Sequence, residues 1–244
     1  MFFKILWNEI KKEILAAWSY RLQWLGEFLS LLIFFIFLVA LTKEKQIAGV
    51  SYCLWFYSIL IIGDISGKIS AEMRSGTFEQ IYLSAIPIPF LLFAKVISAI
   101  VRSFVIMGGL CGFLWGLGYI TFASLPIIKL ICIMIIITPG LFGLSLFLGG
   151  LTILLKDVGW MLNIINNSLL FLSGIFMPIE SFPTWLQHVS HISLITNAID
   201  LIKVNNYSGD LFLFIISIIN LSFGIGIFLY CEKKTKLKGC FGHY

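Results

Sequence analysis

The sequence predicts an all-α, multi-pass membrane protein. It has six transmembrane helices, an N-terminal amphipathic interfacial helix and short re-entrant helices on the outer face before the last span. Three observations predict this. The 244 residues are 59% hydrophobic and 12% charged, with a mean hydropathy of +1.01, too little polar surface for a water-facing domain of this size. Six apolar runs each reach or approach the roughly 20 residues that a helix needs to cross about 30 Å of hydrocarbon. Lys and Arg gather at the ends of those runs rather than on one folded face, so the net charge of +5 is not a nucleic-acid footprint. Residues 1–244 read as one membrane domain, with no space among them for a separate soluble one.

Residues 1–20 come first. Phe3, Trp7, Ile10, Ile14 and Trp18 recur at helical spacing opposite Lys4, Asn8, Lys11 and Lys12. Such a helix lies in the headgroup plane, where lysines favour anionic lipid. No A-x-A-like site follows the first apolar run, so the segment is expected to be retained. The expected spans are Leu22–Leu41, Val50–Ser70, Phe90–Ile120, Pro126–Leu155, Met161–Met177 and Leu211–Tyr230, with a kink at Pro139-Gly140. With the N-terminus inside, Lys4, Lys11, Lys12, Arg21, Lys68, Arg74, Lys156 and the C-terminal lysines all fall at cytoplasmic ends, so both termini are expected in the cytoplasm. Gly108, Gly112 and Gly116, and more weakly Gly63 and Gly67, are spaced to let another helix approach closely. Lys95 and Arg102, two turns apart, are expected to form a basic stripe where the third helix emerges.

Two connecting segments are richer than loops need to be. After the second span, residues 71–89 carry acid, base and hydroxyl groups with apolar Phe78, Ile81 and Tyr82, until Pro87 and Pro89 end the segment. A plain connector could be about four residues long; this one has the composition of a docking helix. Residues 178–207, opening with Pro178 and containing Trp185 and Tyr207, are too apolar for a free loop and too broken for a span. They are expected to form short helices on, or dipping into, the outer leaflet.

Catalytic signatures are not found. Gly67-Lys68 is followed by Ile69 and is no phosphate loop, and neither HExxH nor GxSxG occurs. Cys53, Cys111 and Cys132 lie in apolar runs, and Cys231 and Cys240 lack a metal-ligand spacing. His188 and His191, three apart and near Glu180, could hold a metal but more simply form a polar face. Glu27 and Asp64 lie within spans, where charge defaults to a functional reading and marks a candidate substrate pathway. Asp64 and Lys68, four apart, can instead pair along the helix.

Three blocks resemble the ABC-2 type permeases, the membrane subunits of ATP-binding-cassette exporters. Glu72-x-x-x-Gly76-Thr77-Phe78-Glu79 with Ser84 is similar to the family's cytoplasmic signature. Leu172-Ser173-Gly174-Ile175-Phe176-Met177-Pro178 with Phe182-Pro183-x-Trp185-Leu186 is similar to its motif entering the outer-face helices. Leu194-Ile195-Thr196-Asn197-Ala198-Ile199-Asp200 resembles the run before the last span. Many relatives carry a proline directly after the serine, whereas Ala85-Ile86 precede Pro87 here.

The resemblance implies a transport subunit in the cell (cytoplasmic, inner) membrane, paired with a second permease copy as a homodimer or with a close paralogue. Two ATPase subunits would dock on a coupling helix formed by Glu72, Arg74, Gly76, Thr77, Phe78 and Glu79. It also implies that ATP and Mg²⁺ reside on those partners, and that this chain binds no cofactor and is not itself an enzyme. Few ionisable residues fall mid-span, so an amphipathic or apolar cargo is expected: a drug, lipid, lipid-linked saccharide or peptide. The rival class is an ion-coupled secondary transporter using Glu27 and Asp64, which would be expected to place paired acids near mid-membrane.

Overall fold

A computed structural model describes residues 7–8, 10–12, 14–15, 19, 21–41, 45–78, 80, 88–116, 127–175, 179–203 and 208–238, with the backbone alone for Glu27 and for several other helical residues. Among them all regular structure is helical: α1 (Arg21–Leu41), α2 (Lys45–Arg74), α3 (Ile88–Gly116), α4 (Ile127–Leu155), α5 (Gly159–Leu172), a 3₁₀ turn (Ile179–Ser181), α6 (Thr184–Ile192), α7 (Leu194–Lys203) and α8 (Ser208–Lys238). The described residues between 7 and 19 are helical too, and Trp7, Ile14 and Leu15 are exposed.

Three stretches, Gly49–Arg74, Lys129–Leu155 and Gly209–Leu237, are long and apolar enough to cross a membrane among the described residues. Their side-chain registers give their directions. Tyr57 meets Thr138 (2.7 Å) and Ser66 meets Thr152 (2.8 Å), so α2 and α4 run parallel. Gly140 lies against Ser217 and Gly150 against Phe228, so α4 and α8 are parallel as well. The chain must therefore return between each pair. α3 makes the first return: Glu72 faces Lys95, Lys68 faces Ser98 and Asp64 faces Arg102, an antiparallel register. The second return begins with α5, whose 14 residues reach about 21 Å, shorter than the span expected over Met161–Met177. Helical backbone stops at Leu172, and Gly174 turns the chain at φ +72°.

α2 forms the centre. Tyr52, Tyr57, Leu54, Ile61, Ile62 and Ile65 are fully enclosed, with α1, α3, α4 and α7 packed around α2. The outer faces of α1 and α8 are the reverse, with Leu25, Leu29, Ile33, Phe212, Ile215 and Ile219 exposed, as a lipid-facing surface requires. α4 and α8 make the longest contact, and glycine makes it possible. A Cβ on Gly143 would stand 2.2 Å from the Asn220 carbonyl oxygen, and one on Gly224 1.9 Å from the Gly143 oxygen. Backbone touches backbone here. The glycines expected to pack, Gly108, Gly112 and Gly116, have no described residue within 4 Å of a Cβ. They face outward, because the face of α3 turned to α2 carries Lys95, Ser98 and Arg102 instead. α4 continues as helix through Pro139.

The outer segment is tied down by hydroxyls and amides. Ser190 and Thr196 both donate to the Leu172 carbonyl (2.6 and 3.0 Å), capping the end of α5. Asn197 donates to the carbonyls of His191 and Ser193 (2.7 and 2.8 Å), closing the α6–α7 corner. α7 then buries Leu194, Ile195, Ala198 and Ile199 against α2, α4 and α8.

Candidate functional site

The end of α2 is built by one glycine. The Gly76 amide donates to the Met73 carbonyl (3.1 Å) and the Thr77 amide to the Glu72 carbonyl (3.0 Å), with Gly76 at φ +70°. This pair of bonds closes a helix through a left-handed residue, which glycine adopts without Cβ strain. Ser75 and Thr77 add hydroxyl bonds to the same Glu72 carbonyl (3.1 and 3.3 Å). The turn is thus ordered although Arg74, Ser75, Gly76 and Thr77 are all exposed.

On either side of that turn the chain is anchored inward. The Glu72 carboxylate pairs with Lys95 of α3, whose side chain is 2% exposed. Phe78 is buried with Met73, Ile69 and Val96. Of the expected coupling residues, then, Glu72 and Phe78 face the bundle, while Arg74, Gly76 and Thr77 face outward. Arg74 also donates to Ser70 (2.9 Å). Glu79 lies outside the described residues, as do Ile81, Tyr82 and Ser84.

From Glu72 a ladder of polar contacts climbs between α2 and α3. The Lys68 ammonium donates to the Lys95 carbonyl (3.4 Å) and to Ser98 (3.3 Å), and it pairs with Asp64 Oδ2 (2.9 Å). Arg102 Nη2 takes the other oxygen, Asp64 Oδ1 (3.1 Å). The side chain of Asp64 is 2% exposed, while Lys68 and Arg102 keep 19% and 25%. Both carboxylate oxygens are engaged by cations, the arrangement a buried charge in a membrane protein needs.

This corrects the expected basic stripe. Lys95 is enclosed and Arg102 half-buried, because α3 packs against the acidic side of α2. The i, i+4 spacing made the Asp64–Lys68 pair visible in the sequence. The Arg102 and Lys95 partnerships span 38 and 23 residues, and no local pattern encodes them.

Asp64, Lys68 and Arg102 form one wall of a cleft of about 700 Å³ between α1, α2 and α3. Gly26 and Ser30 of α1 line its other side, so the backbone at Glu27 runs past it. Asp64, one of the two expected pathway residues, is therefore at a cavity, and Glu27 belongs to the helix that bounds it.

His188 and His191 are exposed on α6, where the His191 carbonyl serves Asn197. Among the described residues no three His, Cys, Asp or Glu side chains gather as metal ligands would. The arrangement offers exposed surfaces, ion pairs and a cleft.

A family model described as "ABC-2 type transporter" matches residues 3–207. No curated protein matches the chain.

Proposed function

Because the chain belongs to the ABC-2 type transporter family, we propose that it is the permease subunit of an ATP-driven exporter, with its ATPase partners docking at the turn that follows α2. Family membership makes the chain a membrane-located transport component and implies association with ATP-binding subunits. The observation that carries the finer reading is the combination at residues 72–78. An exposed, hydroxyl-rich turn is held by a glycine cap and braced on both flanks, by the Glu72–Lys95 pair and by Phe78. A surface that receives force must be stiff, and this one is fixed to both α2 and α3.

Arg74, Thr77 and Glu79 supply the contacts to the ATPase. The parallel directions of α2, α4 and α8, with α3 returning between the first two, support a six-span path with both termini in the cytoplasm. A second permease copy completes the transporter, and the cargo is amphipathic or apolar. Ion coupling through Glu27 and Asp64 is the weaker reading, because Asp64 is clamped between Lys68 and Arg102 rather than poised to exchange a proton.

The test is charge reversal at the turn. Arg74→Glu and Glu79→Lys should insert normally in the membrane yet lose most of the co-purifying ATPase subunit and its transport-coupled ATP hydrolysis. Undiminished complex and hydrolysis in both variants would overturn the docking assignment.

A further inference from the structure

One exposed helix face carries amides where lipid would require hydrocarbon. On α5, Trp160, Asn163, Ile164, Asn167, Ser168 and Phe171 recur at intervals of three and four, and all are exposed on the side turned away from the bundle. The opposite side packs on α2. A Cβ on Gly63 would stand 3.6 Å from Leu162, and the Trp55 indole N–H donates to the Asn166 carbonyl (3.5 Å). Trp55 and Gly63 lie roughly 9 Å and 16 Å inside the two ends of the membrane-length stretch Gly49–Arg74. Asn163 and Asn167, each one residue beyond those contacts, are therefore at hydrocarbon depth.

Among the described residues, none hydrogen bonds the side chains of Asn163, Asn167 or Ser168. The Asn166 Oδ1, buried at the edge of the same face, has no partner either. The outer face of α8 supplies the contrast. Its exposed Ser222 hydroxyl donates back to the Ile218 carbonyl (3.0 Å), and Phe212, Ile215 and Ile219 surround it. A carboxamide left without a partner in lipid is costly, and polar side chains at that depth turn to protein or to water. This face of α5 is not a lipid surface.

We propose that a second, identical copy of the chain packs here, α5 against α5, with Asn163 and Asn167 each meeting its own counterpart across a two-fold axis. The chemistry selects the occupant. A carboxamide is both donor and acceptor, so two identical ones satisfy each other. A two-fold axis along the membrane normal sets each position opposite itself and runs both α5 helices in the same direction. Positions 160, 163 and 167 have the three-and-four spacing of a parallel helix seam, where paired asparagines fix register. The inference rests on the reading that a second permease copy completes the transporter, and adds the face used and the identity of the two copies.

The full-length chain, its five native cysteines replaced by alanine, would be oxidised in native membranes after Asn163→Cys, Asn167→Cys or, on the outer face of α8, Phe212→Cys. The two α5 variants should run mostly as disulfide-linked dimers and the α8 variant as monomer. In lipid vesicles, with energy transfer followed between labelled copies, Asn167→Leu should weaken dimerisation about three- to thirtyfold, the worth of one interhelical hydrogen bond. Asn167→Gln, which keeps the amide, should recover most of that loss. A dimer that no α5 cysteine cross-links would overturn the α5 assignment and leave the paired transporter standing. A chain that stays monomeric throughout would overturn both. Ready alkylation of Asn167→Cys by a membrane-impermeant maleimide, without cross-linking, would overturn the assignment by showing that the face lines an aqueous path.

Discussion

The α4–α8 contact and the α2–α3 contact join helices of similar length in opposite ways. Between α4 and α8 glycines carry the described contact. Gly140, Gly143, Gly150 and Gly224 remove side chains so that the backbones meet, and dispersion over that surface holds them. Between α2 and α3 two ion pairs and a lysine–serine bond span the gap, and beside them lies the cleft. Helices held by shape leave no volume and no alternative arrangement. The difference separates a half joined backbone to backbone from one joined through charged side chains. Both the exposed turn and the cleft belong to the second.

The largest effect should come from breaking the fixed contact. In Gly143→Leu the new side chain meets the Asn220 carbonyl and the Leu221 Cα, and backbone rather than a flexible side chain must yield. The loss should exceed the ~1–3 kcal/mol of ordinary overpacking and appear as little or no folded protein on size exclusion. A well-folded variant would show that α4 and α8 part easily, and the comparison would fail.

Next is the charged contact. Lys95→Ala leaves the Glu72 carboxylate, 13% exposed, without its buried partner. The expected cost is about 3 kcal/mol in thermal melting, with weaker ATPase coupling because the turn loses one brace. Pairing Lys95→Met with Glu72→Leu should restore most of the stability but not the coupling. Recovery of both would mean that the ion pair only fills space.

The smallest effect sharpens the contrast from the other side. Gly112→Leu adds a side chain where no described residue lies within 4 Å, so melting should stay within about 0.5 kcal/mol of the wild type. A large loss would reveal a packing role for α3 that its outward-facing glycines do not show.

Which contacts were legible follows from their separation along the chain. Gly76 was legible only within the family-like signature, and the helix stop it makes, through the Glu72 and Met73 carbonyls, interrupts the docking helix expected to run on to Pro87. Asp64 with Lys68 could be read because four residues is one turn. The Gly108, Gly112 and Gly116 spacing marked a smooth helix face but not what that face touches. Gly143 and Gly224, which do meet, lie 81 residues apart and carry no mutual signal. Thr196 and Asn197 were legible only as part of a family-like run. Their work, capping α5 and the α6–α7 corner, depends on where the chain folds back.

The sequence by itself determined the lipid environment and the helical class. Hydrophobic length, the chemistry of glycine and the spacing of charges act within one helix or at its ends. Only the tertiary structure decided that Lys95 and Arg102 are interior counter-ions, that Asp64 borders a cleft, and which glycines bring helices together. Those outcomes depend on the rotation and register of one helix against another. Register is fixed by the sum of many weak contacts, so no single residue pattern announces it.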